Sequence, residues 1–229
     1  MINFICVDNM EVSFFENVRN LVKFCNENPS LLEGKYPEIK DRLSKCCGKG
    51  QGTGNKATDH EASFAKIVED HGFTHIQVGD EVTKFAYIYQ PHGTQKSIDF
   101  RLLSPSGKTV DIDLKHSEND AIFLNDGKFL TDVIYVISFT RVLKEEKVKG
   151  QRKCPRQNVC TIVLGQDVMT PKDASALEKR YARLRELNEE AKDLDFLIIY
   201  ARNANQYSCK QFTAEFNINS LKKTITFLQ

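Results

Sequence analysis

Asp99, Asp113 and Lys115 are the residues of this chain whose types and spacing best suit chemistry. Asp113 and Lys115 stand two apart, so on an extended strand their side chains share a face. Asp99 belongs to an earlier alternating run, Ser97-Ile98-Asp99-Phe100-Arg101-Leu102. Pro105-Ser106-Gly107 separates it from a second run, Val110-Asp111-Ile112-Asp113-Leu114-Lys115, and has the composition of a turn. Folded as a hairpin, the two runs place Ile98, Phe100, Leu102, Val110, Ile112 and Leu114 on one apolar surface. Asp99, Arg101, Asp111, Asp113 and Lys115 collect on the other. Two carboxylates beside an ammonium, above a packed sheet, suit a divalent cation and a phosphate.

Acid-x-lysine tripeptides also occur at Glu33 to Lys35, Glu38 to Lys40, Glu145 to Lys147 and Glu190 to Lys192. These fall on predicted helices or loops, where the acid and the lysine are solvated or face different ways. Asp113-Leu114-Lys115 is set apart by lying on a strand with a hairpin partner that bears an acid on the same face.

The elements that must position this hairpin are legible on either side of it. Residues 10–47 read as a helical lead-in, with Val12, Phe15, Val18, Val22 and Cys25 near helical spacing and a break at Asn28-Pro29-Ser30. Gly48, Gly50, Gly52 and Gly54 then mark a loop. Thr58-Asp59 caps a helix expected to run to His71 and stop at Gly72, with Glu61 and Glu69 on one of its faces. Strands are expected over Phe85 to Gln90, Ser97 to Leu103, Thr109 to Lys115, Asp132 to Ser138 and Cys160 to Leu164. Thr170-Pro171-Lys172-Asp173 starts a helix reaching about Asp193, and Asp195 to Tyr200 reads as a strand, closing a β-α-β unit. The expectation is an α/β fold in which helices flank a mixed central β-sheet. It forms one domain over residues 1–229, with a helical segment and Gly-rich loop to residue 57 and the core from residue 58.

The 229 residues, 41% hydrophobic and 28% charged, suffice for a full core. No apolar run approaches a membrane-spanning length, and the start lacks a basic flank and a long apolar segment, so a cytoplasmic protein without membrane attachment is expected. Seven cysteines without zinc-type spacing read as reduced thiols. A net charge of +1 excludes neither nucleic acid nor other partners, because distribution matters more than the total. The stretch from Arg141 to Arg156 concentrates seven basic residues against two acids and reads as an exposed loop.

The run Gln90-Pro91-His92-Gly93-Thr94-Gln95-Lys96-Ser97-Ile98-Asp99-Phe100, followed by Val110-Asp111-Ile112-Asp113-Leu114-Lys115-His116-Ser117, Asn125-Asp126-Gly127 and Val133-Ile134-Tyr135-Val136, resembles the PD-(D/E)XK nuclease superfamily, and within it the type II restriction endonucleases. The resemblance covers about a quarter of the chain. It implies a restriction-endonuclease-like core and Mg²⁺-dependent hydrolysis of double-stranded DNA, leaving a 5′-phosphate and a 3′-hydroxyl. Asp99 and Asp113 match the family's acids and Lys115 its lysine. Ile98 stands where the family name has proline, and Asp113 replaces the commoner glutamate. Hard oxygen ligands would come from Asp99, Asp113 and the Leu114 carbonyl. Gln95 would orient a water or phosphate, and Glu61 is the candidate for the glutamate that family members often carry on the preceding helix, with Glu69 second. Family cores also place a helix after the lysine strand, where this chain has only His116 to Thr131.

Candidates for DNA contact are Lys147, Lys149, Gln151, Arg152, Lys153 and Arg156 in the basic stretch. Arg202, Asn203, Asn205 and Gln206 follow the last predicted strand, in what otherwise reads as a polar turn. These side chains match phosphates and purine edges. His92 and His116 lie near the hairpin, while Arg101 and Asp111 form its rim. A homodimer is expected where the recognised site is palindromic. A structure-specific repair or recombination nuclease, or an inactive DNA-binding module of the same fold, would be built from the same residues.

Overall fold

A computed structural model of the chain describes residues 3–46, 56–93, 98–118, 121–124, 127–142, 146–148, 151–153, 156–191 and 205–229. The lead-in folds as helix α1 (Asn3–Glu27), a 3₁₀ turn (Pro29–Glu33) and helix α2 (Pro37–Cys46). Phe14, Val18, Leu21, Val22 and Cys25 recur every three or four residues and are fully buried along α1. Helix α3 (Asp59–Asp70) opens on a reciprocal capping box. The Thr58 hydroxyl accepts from the Glu61 N–H at 3.1 Å, and the Glu61 carboxylate accepts from the Thr58 N–H at 2.6 Å.

Strands β1 (Thr74–His75), β2 (Ala86–Tyr89), β3 (Phe100–Leu103), β4 (Thr109–Ser117), β5 (Ala121–Leu124), β6 (Ile134–Val142), β7 (Glu146–Val148), β8 (Gln151–Lys153) and β9 (Arg156–Leu164) follow. After them come helices α4 (Gly165–Val168) and α5 (Pro171–Glu190), strand β10 (Asn205–Ser208) and helix α6 (Ala214–Phe227). Six strands form a mixed sheet in the order β1-β2-β3-β4-β6-β9, with β1·β2 and β4·β6 parallel and the other pairs antiparallel. The α/β expectation is met by this sheet with helices on both faces.

Alternation divides the sheet residues between two cores. One face packs Phe100, Leu102, Val110, Ile112, Leu114, Ile134, Val136 and Ile162 against α1 and against Phe64, Ile67 and Val68 of α3. The helical lead-in is thus part of the core. The opposite face packs Tyr135, Ile137, Phe139 and Val163 against Ile122, Leu124, Phe129, Met169, Cys209 and Phe212. A fully buried aliphatic or aromatic side chain in such a layer stabilises by about 1.5–3 kcal/mol. Along the β9 edge, α6 is held where the Thr161 hydroxyl donates to Asn217 at 2.9 Å. Arg19 of α1 reaches the Leu228 carbonyl just beyond α6 at 2.7 Å.

Four expectations change. Ile98 packs with the second core, opposite Phe100 and Leu102, because β3 begins only at Phe100 and strict alternation does not extend back through Asp99. The basic stretch is more than a loop: Arg141 and Val142 complete β6, Arg156 begins β9, and β7 pairs antiparallel with β8 between them. Between Lys115 and β6 the chain contains strand β5, which pairs antiparallel with β10 in a two-stranded sheet. Asn205–Ser208, read as a polar turn, is that partner strand. The alternating glycines at 48–54 and the strand expected at 195–200 lie outside the described residues. Among the described residues no helix is long and apolar enough to cross a membrane.

Candidate active site

The β3–β4 ladder pairs Phe100 with Ile112 and Arg101 with Asp111. Its last backbone bond toward the chain start of β3 runs from the Asp99 N–H to the Ile112 carbonyl, 3.1 Å. One step further, the Leu114 N–H turns instead to the Asp99 carboxylate, with Oδ2 accepting at 2.8 Å. A side chain thus takes the place of the next backbone acceptor where the ladder ends. The Asp99 carbonyl meanwhile accepts from the Gln90 N–H at 2.7 Å, so residue 99 is held from both neighbouring strands.

Asp113 and Lys115 project from the same face of β4, the face of Tyr135 and Ile137 on parallel β6. Asp113 is 1% exposed. Its Oδ1 accepts from Lys115 Nζ at 2.7 Å, and Lys115 also donates to the Leu114 carbonyl at 3.2 Å. Asp113 Oδ2 is buried with no hydrogen-bond partner. Burial raises the Asp113 carboxyl well above the usual carboxylate range; the Lys115 ammonium opposes this, and the adjoining Asp99 carboxylate reinforces it. The structure therefore brings the three residues together at one point, with a buried oxygen lacking a partner.

That point could hold a hard dication. Its donors are two carboxylates and a backbone carbonyl, and the unpartnered Oδ2 beside a second carboxylate is relieved by positive charge. Among the described residues no three His, Cys, Asp or Glu side chains converge as a metal site, so the protein offers few donors. Such a set matches an ion that keeps several of its own waters.

The other candidate carboxylates are engaged elsewhere. Arg101 and Asp111 form a bidentate pair, with Nε to Oδ1 at 2.7 Å and Nη2 to Oδ2 at 2.8 Å, and His92 Nε2 lies 3.2 Å from Arg101 Nη2. Glu61 uses Oε2 in its capping box, while Oε1 accepts from the Tyr89 hydroxyl at 2.9 Å. Glu69 pairs with Arg42 and accepts from the Tyr87 hydroxyl at 2.7 Å. His116 lies within 2.9 Å of the Ser138 hydroxyl, and its ring is 5.0 Å from that of His60. A cavity of about 540 Å³ lies beside these two histidines, lined also by Thr58, Glu118 and Thr140.

Lys147, Gln151, Arg152 and Lys153 lie on the β7–β8 hairpin, with Lys147 opposite Arg152, and Arg156 is the first residue of β9. Gln206 is exposed on β10 opposite Phe123, itself 63% exposed on β5, and Asn205 pairs with Leu124. Gln95, Lys149, Arg202 and Asn203 lie outside the described residues. Sequence reasoning missed Tyr89, which joins α3 to the end of β2, and the backbone of Gln90, whose φ is +48°. The one available signal was Pro91-His92-Gly93, whose proline and glycine mark a turn directly after Gln90. No family model, no curated protein and no solved structure matches the chain.

Proposed function

We propose that this chain is a metal-dependent endonuclease of the restriction type, hydrolysing phosphodiesters of double-stranded DNA at a defined sequence. The observation carrying the reading is the end of the β3–β4 ladder, where Asp99, Asp113 and Lys115 meet around a buried carboxylate oxygen with no partner. A phosphodiester is anionic and repels an incoming oxygen nucleophile, so its cleavage needs positive charge, a placed water and stabilisation of the leaving oxygen.

Asp99, Asp113 and the Leu114 carbonyl would hold Mg²⁺, which when bound neutralises phosphate charge and acidifies water. Asp99 is preset for this by the Leu114 N–H, which fixes its carboxylate without using both oxygens. Lys115, steadied by Asp113 and the Leu114 carbonyl, places an ammonium where it can orient the attacking water and oppose charge on the phosphoryl oxygens. Water adds to phosphorus and the bond to the 3′ oxygen breaks. That oxygen leaves as a hydroxyl, and the phosphate stays on the 5′ end. On this reading the basic residues of β7 and β8 would contact phosphates, and Gln206, exposed on β10, would read bases. On a palindromic site, a homodimer would present one such centre to each strand.

Incubation of the purified chain with plasmid DNA and Mg²⁺, followed by sequencing of the ends, tests this reading. Discrete fragments with one common end sequence are expected, and Asp99→Ala or Lys115→Ala should abolish them without unfolding the protein. Full activity in either variant refutes the catalytic assignment, whereas a smear without common ends redirects the reading to structure-specific cleavage.

A further inference from the structure

Gln90 is the one non-glycine residue among those described with a left-handed backbone, at φ +48°. Its Cβ opposes that conformation, and the following Pro91 also presses the residue before it toward extended backbone. A conformation disfavoured twice over persists only where its surroundings impose it. Here they do so from several directions. The Gln90 N–H donates to the Asp99 carbonyl at 2.7 Å, and the Gln90 carbonyl accepts from the Gly93 N–H at 3.0 Å. The Gln90 side-chain amide donates to the Tyr89 hydroxyl at 3.0 Å, and that hydroxyl donates to Glu61, whose other oxygen caps α3.

We infer that Gln90 is a positioning residue for the metal centre. Its left-handed backbone delivers an N–H to the Asp99 carbonyl, and this holds residue 99 where its carboxylate, not its backbone, meets the Leu114 N–H. Glu61 of α3 braces the conformation through the Tyr89 hydroxyl. The inference rests on the reading of Asp99 as a cation ligand and assigns Glu61 to support of the strand end, not to the cation.

Binding of Mn²⁺ to the DNA-free chain, measured by titration calorimetry, tests this apart from cleavage. A β-branched residue resists the left-handed region and glycine accepts it. Gln90→Val is therefore expected to weaken Mn²⁺ binding at least tenfold, while Gln90→Gly, which accepts the backbone conformation and loses only the amide's link to Tyr89, should lose no more than the severalfold expected of Tyr89→Phe. Tyr89→Phe leaves the backbone untouched and removes only the bracing hydroxyl, so it should weaken binding severalfold with little change in Tm. That variant decides the matter if Gln90→Val fails to fold. Asp99→Asn is the control and should lose Mn²⁺ binding. If it binds like the parent, the cation reading falls, and this inference with it. If it loses binding while folded Gln90→Val and Tyr89→Phe bind like the parent, the positioning role alone is overturned. A loss in Gln90→Gly as large as in Gln90→Val overturns the backbone argument.

Discussion

Asp113 is held at an energetic cost. A carboxyl 1% exposed, with one oxygen unpartnered and a second carboxylate alongside, is destabilised in its charged form. Because its folded pKa lies above the unfolded value near 3.8, stability is greatest below that value and falls as pH rises through the folded one. Asp113→Asn removes this dependence. The variant is expected to show a Tm at pH 8 equal to or above that of the parent chain, with DNA cleavage reduced roughly a thousandfold. A clear loss of Tm would contradict the cost assigned to the buried charge. His60 has the opposite sign. Burial lowers its pKa from 6.5 to about 4, aided by His116 and Lys115 and opposed by its contact with the Leu32 carbonyl. Its contribution is fully present above pH 6.5 and is lost as pH falls through about 4, worth up to about 3 kcal/mol. Urea midpoints measured between pH 7 and 4 should fall steeply for the parent chain and less so for His60→Asn.

Elements locate these residues through their ends. The N-terminus of α3 joins a cap to a brace, since Glu61 serves Thr58 and Tyr89 together. Thr58→Ala is expected to cost about 1 kcal/mol in chemical denaturation. At the end of β9, Gly165 sits against the connection between β5 and β6, donating its N–H to the Val133 carbonyl at 3.0 Å. A Cβ there would lie 1.8 Å from the Leu130 carbonyl oxygen, a backbone atom that cannot swing aside. Gly165→Ala should therefore cost about 3 kcal/mol or prevent folding, and a stable variant would mean that this connection is looser than described. The β7–β8 hairpin makes a different demand. Lys147 and Arg152 are paired positions across it, and on the proposed function the double alanine variant should weaken DNA binding and lower the salt slope by about 2. An unchanged slope would remove the hairpin from the DNA contact surface.

Over the whole molecule, one sheet with a core on each face carries the acids at the point where two of its strands part company. Much of this arrangement was legible in the residues. The capped starts of α3 and α5, the break at Asn28-Pro29 and the strands around Asp99 and Asp113 follow from signals within a few positions of each other, such as Thr58 with Glu61. Helix α6 escaped because its buried positions include Ser220 and Thr224, which blunt an apolar period. Strand β5 escaped because four residues, one of them the exposed Phe123, are too few to show alternation. The sequence by itself determined that Asp113 and Lys115 share a face, since positions two apart on a regular strand point the same way. Only the tertiary structure decided their states: Asp99 meets the Leu114 N–H 15 residues away, and Tyr89 meets Glu61 28 residues away. Burial, an unpartnered Asp113 oxygen and a left-handed Gln90 all arise from groups that chain folding brings together across such separations, and no local pattern encodes them.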